Sequence, residues 1–191
     1  MTILATTAIR AALTSGAIVC DPAPARVEGA HIDVTLGAHY WEFDISDLRP
    51  GFDLADTDPW YAFIQINAEK SQRILIPPRG FILAHTAEYI GTAPGSGLIP
   101  CLHTRSTLAR WGLSVCTANA GFGDEGYTSR WTLEIVNPHP VAVAIPVGAR
   151  VGCITFQRLE GVAQPYETST RYNAQPGEWS PTQMLPRKGN W

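Results

Sequence analysis

Three short stretches of this chain carry side chains whose types and spacing could do chemistry. In "HTRSTLARWGL", residues 103–113, Arg105 and Arg110 stand five apart with Ser106 and Thr107 between them. Guanidinium forks and hydroxyl donors so arranged suit phosphate oxygens, which accept several charge-assisted hydrogen bonds at once. The same residues also suit a capped surface helix with Ser106 or Thr107 at its N-cap and Arg110 in water. In "NAGFGDEGY", residues 119–127, three glycines around Asp124 permit a tight turn that holds one carboxylate in place, although a turn aspartate can equally cap its own backbone. In "YTSRWTLEIVN", residues 127–137, Glu134 interrupts an otherwise strand-like run. Alternation puts it with Arg130 and Thr132 on the face opposite Trp131, Leu133 and Ile135, where a carboxylate can simply be solvated.

Common catalytic signatures are missing. A zinc deaminase needs an H-x-E element and a later P-C-x-x-C to hold the metal that activates its water, and neither occurs. None of His31, His39, His85, His103 and His139 lies in an HExxH, and there is no P-loop and no G-x-S-x-G.

The elements that must position these residues read mainly as strands. "HIDVTLGAHYWEF", "RILIPPRGFILAHTAEYI" and "VAVAIPVGARVGCITFQRL" alternate in period two and are broken by Pro-Pro, Pro-x-Gly and Pro-Val-Gly turns, the pattern of a barrel or jelly roll. "TTAIRAALTSG" has a threonine start, Ile9, Ala12 and Leu13 at helical spacing and Gly16 as a stop, which predicts one short helix over residues 6–15. "CDPAPARVEGA" reads as a loop. From Gln164 the pattern dissolves into a polar, Pro-rich tail that keeps Tyr166, Tyr172, Trp179 and Trp191, more aromatics than a disordered tail holds, so an arm or lid that docks on something is expected.

The bulk numbers bound the function. At 191 residues the chain suits a single domain, 1–191, with an N-terminal helical segment (1–20), a β core (30–160) and the C-terminal lid (164–191). With 45% apolar and 16% charged residues, 15 Pro and 17 Gly, the class is mostly β. A formal charge of -3 and 14 scattered Lys and Arg offer no field for a nucleic-acid polymer, while a single nucleotide needs only a few well-placed cations. No stretch reaches the length of a membrane span and no secretory signal is apparent, so no membrane partner and a cytoplasmic location are expected. Cys20, Cys101, Cys116 and Cys153 fall singly and far apart, as reduced core thiols do.

Taken in order, "HIDVTLG", "PPRGFILAHTAEYI", "RSTLARWGL", and "AGFGDEGY" followed by "TLE" make the chain resemble the dCTP deaminases, whose relatives with the same fold are the dUTPases. The family writes these elements R-S-S-L-A-R-x-G-L, A-G-x-x-D-x-G-[FY] and T-L-E, and the resemblance spans essentially the whole chain. It implies a distorted jelly-roll or β-barrel of dUTPase-like type, zinc-independent deamination of dCTP to dUTP and ammonia, and a homotrimer with intersubunit active sites. Magnesium would arrive bound to the nucleotide triphosphate.

Carried across residue by residue, the resemblance makes Glu134 the catalytic carboxylate, assisted by Ser106 and Arg110. Arg105 and Thr107 would join them on the triphosphate, Asp124 would hold the deoxyribose, and the backbone of Thr132 and Leu133 would read the pyrimidine edge. In the tail, Tyr166, Arg171 and Gln175 match the family's lid. Several positions depart from the pattern. Thr104 and Ser129 replace glycines, Thr107 replaces a serine, and Cys116 replaces a histidine with one additional residue before Asp124. Two residues are missing between Tyr166 and Arg171. These changes leave a modified or less phosphorylated deoxycytidine nucleotide, a dUTPase, a bifunctional enzyme continuing to dUMP, or a non-catalytic nucleotide-binding trimer as alternatives.

Overall fold

The computed structural model describes residues 2–43, 58, 62–68, 72–116, 121–164, 166, 172 and 178–186. The helix arrives where its spacing predicts it, as α1 (Thr6–Ser15), closed by Gly16 in the left-handed region at φ +78°. Its start differs: the N-cap is Ala5, whose methyl cannot cap, and Thr6 is the first helical residue, its hydroxyl donating to the Gly29 carbonyl at 2.7 Å. That bond ties α1 to the neighbouring turn, and Ile9 is fully buried beneath it.

The rest is antiparallel sheet. The alternating segments become β4 (His31–Thr35), β5 (His39–Phe43), β7 (Arg73–Ile76), β8 (Phe81–His85), β9 (Tyr89–Thr92), β13 (Val143–Pro146) and β14 (Arg150–Arg158). Short strands that the pattern did not mark complete the ladders: β1 (Thr2–Ile3), β2 (Ile18–Asp21), β3 (Val27–Glu28), β6 (Phe63–Asn67) and β10 (Leu98–Thr104). Two of these, β2 and β3, fall in or at the edge of the stretch that reads as a loop. Five residues of β10, Leu98 to Leu102, are buried, so no polar face reveals its period.

"YTSRWTLEIVN" divides into β11 (Thr128–Ser129), which pairs with β9, and β12 (Thr132–Val136), which pairs with β8. The break falls at Arg130 and Trp131, where the Trp131 N–H leaves the ladder and donates to the Thr86 hydroxyl at 2.9 Å. The chain there passes from one sheet to another. The sheets run β1-β14-β4-β3 with β10 also on β14, β11-β9-β2, β12-β8-β5-β6, and β13-β7. Their inward rows meet in one cluster that includes Ile32, Ile76, Ile82, Leu133, Ile154 and Phe156, all fully buried.

Candidate active site

Strand β12 builds the centre of the site. Its inward residues Leu133 and Ile135 are fully buried, which fixes register and turns Thr132 and Glu134 to the opposite, half-buried face. Glu134 stands opposite Leu83 of β8, and Leu83 opposite Trp41 of β5. The Glu134 N–H donates away from β8 to the Val115 carbonyl at 3.0 Å. By the two-residue period, the backbone groups of Thr132 face that same outer edge and those of Leu133 face β8.

Thr132 and Glu134 line a cavity of about 520 Å³ together with Asp124 and Tyr166, and much of the remaining wall is apolar or aromatic, including Phe63, Phe81, Phe122 and Met184. The turn that brings Asp124 here uses its glycines in two ways. Gly126 supplies a positive φ of +83°. At Gly121 and Gly123 the need is room: an added Cβ would lie 2.3 Å from the Leu102 carbonyl oxygen and 2.8 Å from the Trp131 ring. Backbone bonds from Leu102 N–H to the Gly121 carbonyl and from Gly123 N–H to the Pro100 carbonyl hold the loop against β10. Asp124 itself is exposed, and its carbonyl accepts the Tyr127 N–H at 3.1 Å.

Glu125, which the motif reading passed over, is the buried acid of this turn at 5% exposure. Its carboxylate accepts the Gly97 N–H, and its carbonyl accepts the Tyr166 N–H at 2.8 Å. Tyr166 also meets Tyr127 edge-on at 5.4 Å, and Tyr127 meets Trp131 edge-on at 5.0 Å. This chain of contacts joins Tyr166 to the strand that carries Glu134. An acid directly after Asp124 was the only sequence signal for it.

The phosphate-type residues lie elsewhere. Ser106, Thr107 and Arg110 sit on α2 (Ser106–Arg110), exposed, with half-buried Arg105 as its N-cap, and none of the four lines the Glu134 cavity. Neither Ser106 nor Thr107 is the cap: Arg105 holds that place with φ -64° and ψ 135°, its N–H donating to the Val151 carbonyl at 3.0 Å. Arg110 Nη1 donates to Ser106 Oγ at 3.4 Å, so the two ends of the motif share one face of α2. Arg171 and Gln175 lie outside the described residues.

Cys116, which stands in place of the histidine of the resembled pattern, is half-buried, and its thiol donates to the Leu102 carbonyl at 3.7 Å. Burial pushes the thiol pKa up against the opposing effect of hydrogen bonding to Thr104, and the charge of Glu134 adds to the rise. The thiol therefore stays neutral.

Arg130, on the Glu134 face of the strand segment, lines a separate cavity of about 610 Å³ with His39, His85 and Trp179. His85 is 3% exposed, and burial lowers its imidazole from 6.5 to about 4, with the charge of Arg130 adding to the effect. The folded protein therefore holds His85 neutral, while the unfolded chain takes up a proton below the usual histidine value. Stability from this site is complete above 6.5 and is lost as pH falls toward 4. Between about pH 7 and pH 4.5, urea unfolding of the wild type should lose roughly 2 kcal/mol more than that of His85→Gln, at 1.36 kcal/mol per pKa unit. Parallel pH profiles for the two proteins would remove His85 as the titrating group.

Among the described residues no three His, Cys, Asp or Glu converge as metal ligands, and no helix is long and apolar enough to cross a membrane.

Residues 3–159 match the model of a family described as dCTP deaminase-like. The chain is 29% identical over 165 residues to the dCTP deaminase of Pyrobaculum arsenaticum, covering 85% of this chain and 88% of that one. It is 31% identical over 174 residues to a dUMP-forming dCTP deaminase of Acidothermus cellulolyticus, covering 88% of each. The fold is shared with the crystal structure of 2'-deoxycytidine 5'-triphosphate deaminase from Agrobacterium tumefaciens, with a TM-score of 0.60 at 23% identity over 82% of this chain and 48% of that longer one. The mostly β fold and the match over residues 3–159 establish that this chain belongs to the dCTP deaminase-like family.

Proposed function

We propose that the protein hydrolyses the 4-amino group of dCTP, releasing dUTP and ammonia. The observation that carries this reading is the half-buried Glu134 carboxylate in an aromatic-walled cavity with Asp124 and Tyr166. In the reaction Glu134 takes a proton from water as the oxygen attacks C4 of cytosine. It passes that proton to the ring nitrogen, then moves the proton of the new C4 hydroxyl to the amine, so that the C4=O bond forms as the C4–N bond breaks and ammonia leaves. One carboxylate suffices because each proton it accepts is returned. The aromatic wall lowers the local dielectric around the site, which strengthens electrostatic contacts inside it.

Asp124 is positioned by its turn to hold the deoxyribose, and Tyr166 to close over the nucleotide. Thr132 offers backbone groups at the outer edge of β12 to the pyrimidine. Arg105, Ser106, Thr107 and Arg110 bind the triphosphate from α2 of a neighbouring subunit, since they do not line the cavity of their own chain. Their contacts are remote from C4, so they position the substrate. Leu133 anchors the strand beneath it, and Arg171 and Gln175 complete the lid. Magnesium suits the phosphate oxygens and water better than a protein cage, so it travels with the triphosphate. Unpaired Cys20, Cys101, Cys116 and Cys153 fit a reducing cytoplasm.

A second reading, in which the same cavity continues to dUMP, is favoured by the 31% identity to a relative named as dUMP-forming. The test is ammonia release with chromatography of the nucleotides, using dCTP, dCMP, deoxycytidine and dUTP with magnesium. Ammonia and dUTP from dCTP support the first reading, and ammonia with dUMP and diphosphate the second. Diphosphate from dUTP without ammonia would transfer the chemistry to a magnesium-bound water held near Asp124, and silence on all four would leave nucleotide binding alone.

A further inference from the structure

We infer that Trp179 is a positioning residue for the reaction: clamped by His85 and Arg130, it fixes the strap 178–186 whose far end walls the Glu134 cavity. The inference rests on the reading of that cavity as the catalytic one. The strap crosses the outer face of the sheet β12-β8-β5-β6. At its near end the Trp179 ring lies 4.4 Å from the His85 ring, 6.3 Å from His39, and 5.7 Å from Arg130 Cζ, which stands over it.

Both jaws of the clamp are themselves fixed. Arg130 Nη1 donates to the Ala87 carbonyl. His85 Nδ1 bonds the Thr86 carbonyl at 2.8 Å, which makes its Nε2 the acceptor for the His39 N–H at 3.2 Å. The His85 ring fits only because residue 37 is glycine, where a Cβ would lie 2.0 Å from the imidazole.

From Trp179 the strap enters a 3₁₀ turn (Pro181–Met184) closed by a capping box between Ser180 and Gln183. Trp41 Nε1 donates to the Pro181 carbonyl at 2.8 Å. Met184 and Leu185, at 3% and 0% exposure, pack on Trp41 and Leu83, the residues in register beside Glu134. Met184 and Pro186 then form part of the cavity wall.

One short stretch of chain thus serves both ends of the device: Arg130, at the break between β11 and β12, grips the strap, and Glu134 on β12 faces the cavity that the strap's far end walls. The Trp41 bond and the Met184–Leu185 packing fix the far end, but Met is an adaptable side chain. Without the aromatic clamp the wall loses its second anchor and its single position.

The wall contacts substrate before and during the reaction, so its loss should appear mainly in KM. With dCTP and magnesium, well below the melting transition, Trp179→Ala should lower kcat/KM by about 10-fold, mostly through KM. Trp179→Phe, which keeps a ring between His85 and Arg130, should recover most of the loss. Arg130→Gln should reproduce part of it, with no further loss in the double variant. A folded Trp179→Ala with unchanged KM would overturn the inference while leaving the proposed function intact. So would a Phe variant as impaired as the Ala variant, which would reduce Trp179 to general packing. Wild-type protein that releases no ammonia from dCTP would remove both.

Discussion

Glu134→Gln should leave the protein folded and its affinity for dCTP nearly unchanged while lowering ammonia release by about 100-fold or more. Glutamine keeps the length and shape of the side chain but is neutral, with an NH2 donor in place of one carboxylate oxygen, and cannot take a proton. The backbone bond from residue 134 to the Val115 carbonyl does not involve the side chain, and the register of β12 is set by Leu133 and Ile135 beneath it. Affinity measured by calorimetry and a melting curve should therefore both resemble the wild type. Turnover above a few per cent would take Glu134 out of the proton-transfer role, and lost affinity with turnover retained at saturating dCTP would make it a binding group instead.

Much of that site was legible because strands obey a period of two. Trp131, Leu133 and Ile135 mark the buried side of their stretch, and the other face follows with Arg130, Thr132 and Glu134 on it. Alternation could not find the break at Arg130–Trp131, since the Thr86 hydroxyl that interrupts the ladder lies 45 positions away in sequence. Nor could it find β10, whose five consecutive buried residues and internal Pro100 give no alternation to read. The resemblance supplied Asp124 and Tyr166, which do share the Glu134 cavity. It did not supply Glu125 or Trp179, because what defines them is contact: the Gly97 N–H lies 28 residues from Glu125, and Arg130 and His85 lie far up the chain from Trp179. The motifs carry the groups proposed to meet the nucleotide, whereas supporting contacts are written across distant segments with no local pattern.

Two separately inactive variants should regain activity when their chains assemble together. The cavity with Glu134, Asp124 and Tyr166 is not lined by Arg105, Ser106 or Arg110 of its own chain. Next to α2 an apolar groove of about 500 Å³ includes Trp111 at 70% exposure and Val141 at 63%, the kind of surface that a subunit contact covers. In a cyclic trimer each α2 can serve the cavity of the next subunit, and the contact repeats identically around the ring. Arg110→Ala should then weaken triphosphate binding through the α2 half of the site, and Glu134→Gln should stop chemistry in the cavity half. In co-expressed mixed trimers, a site that draws α2 from a Glu134→Gln chain and the cavity from an Arg110→Ala chain is intact. Random assembly of equal amounts makes about a quarter of all sites of this kind, so at dCTP well below the KM of Arg110→Ala the mixture should show roughly a quarter of wild-type turnover while either variant alone shows almost none. Native mass spectrometry would establish that mixed trimers formed. If they form and stay inactive, each chain completes its own site and α2 must reach its cavity within one subunit.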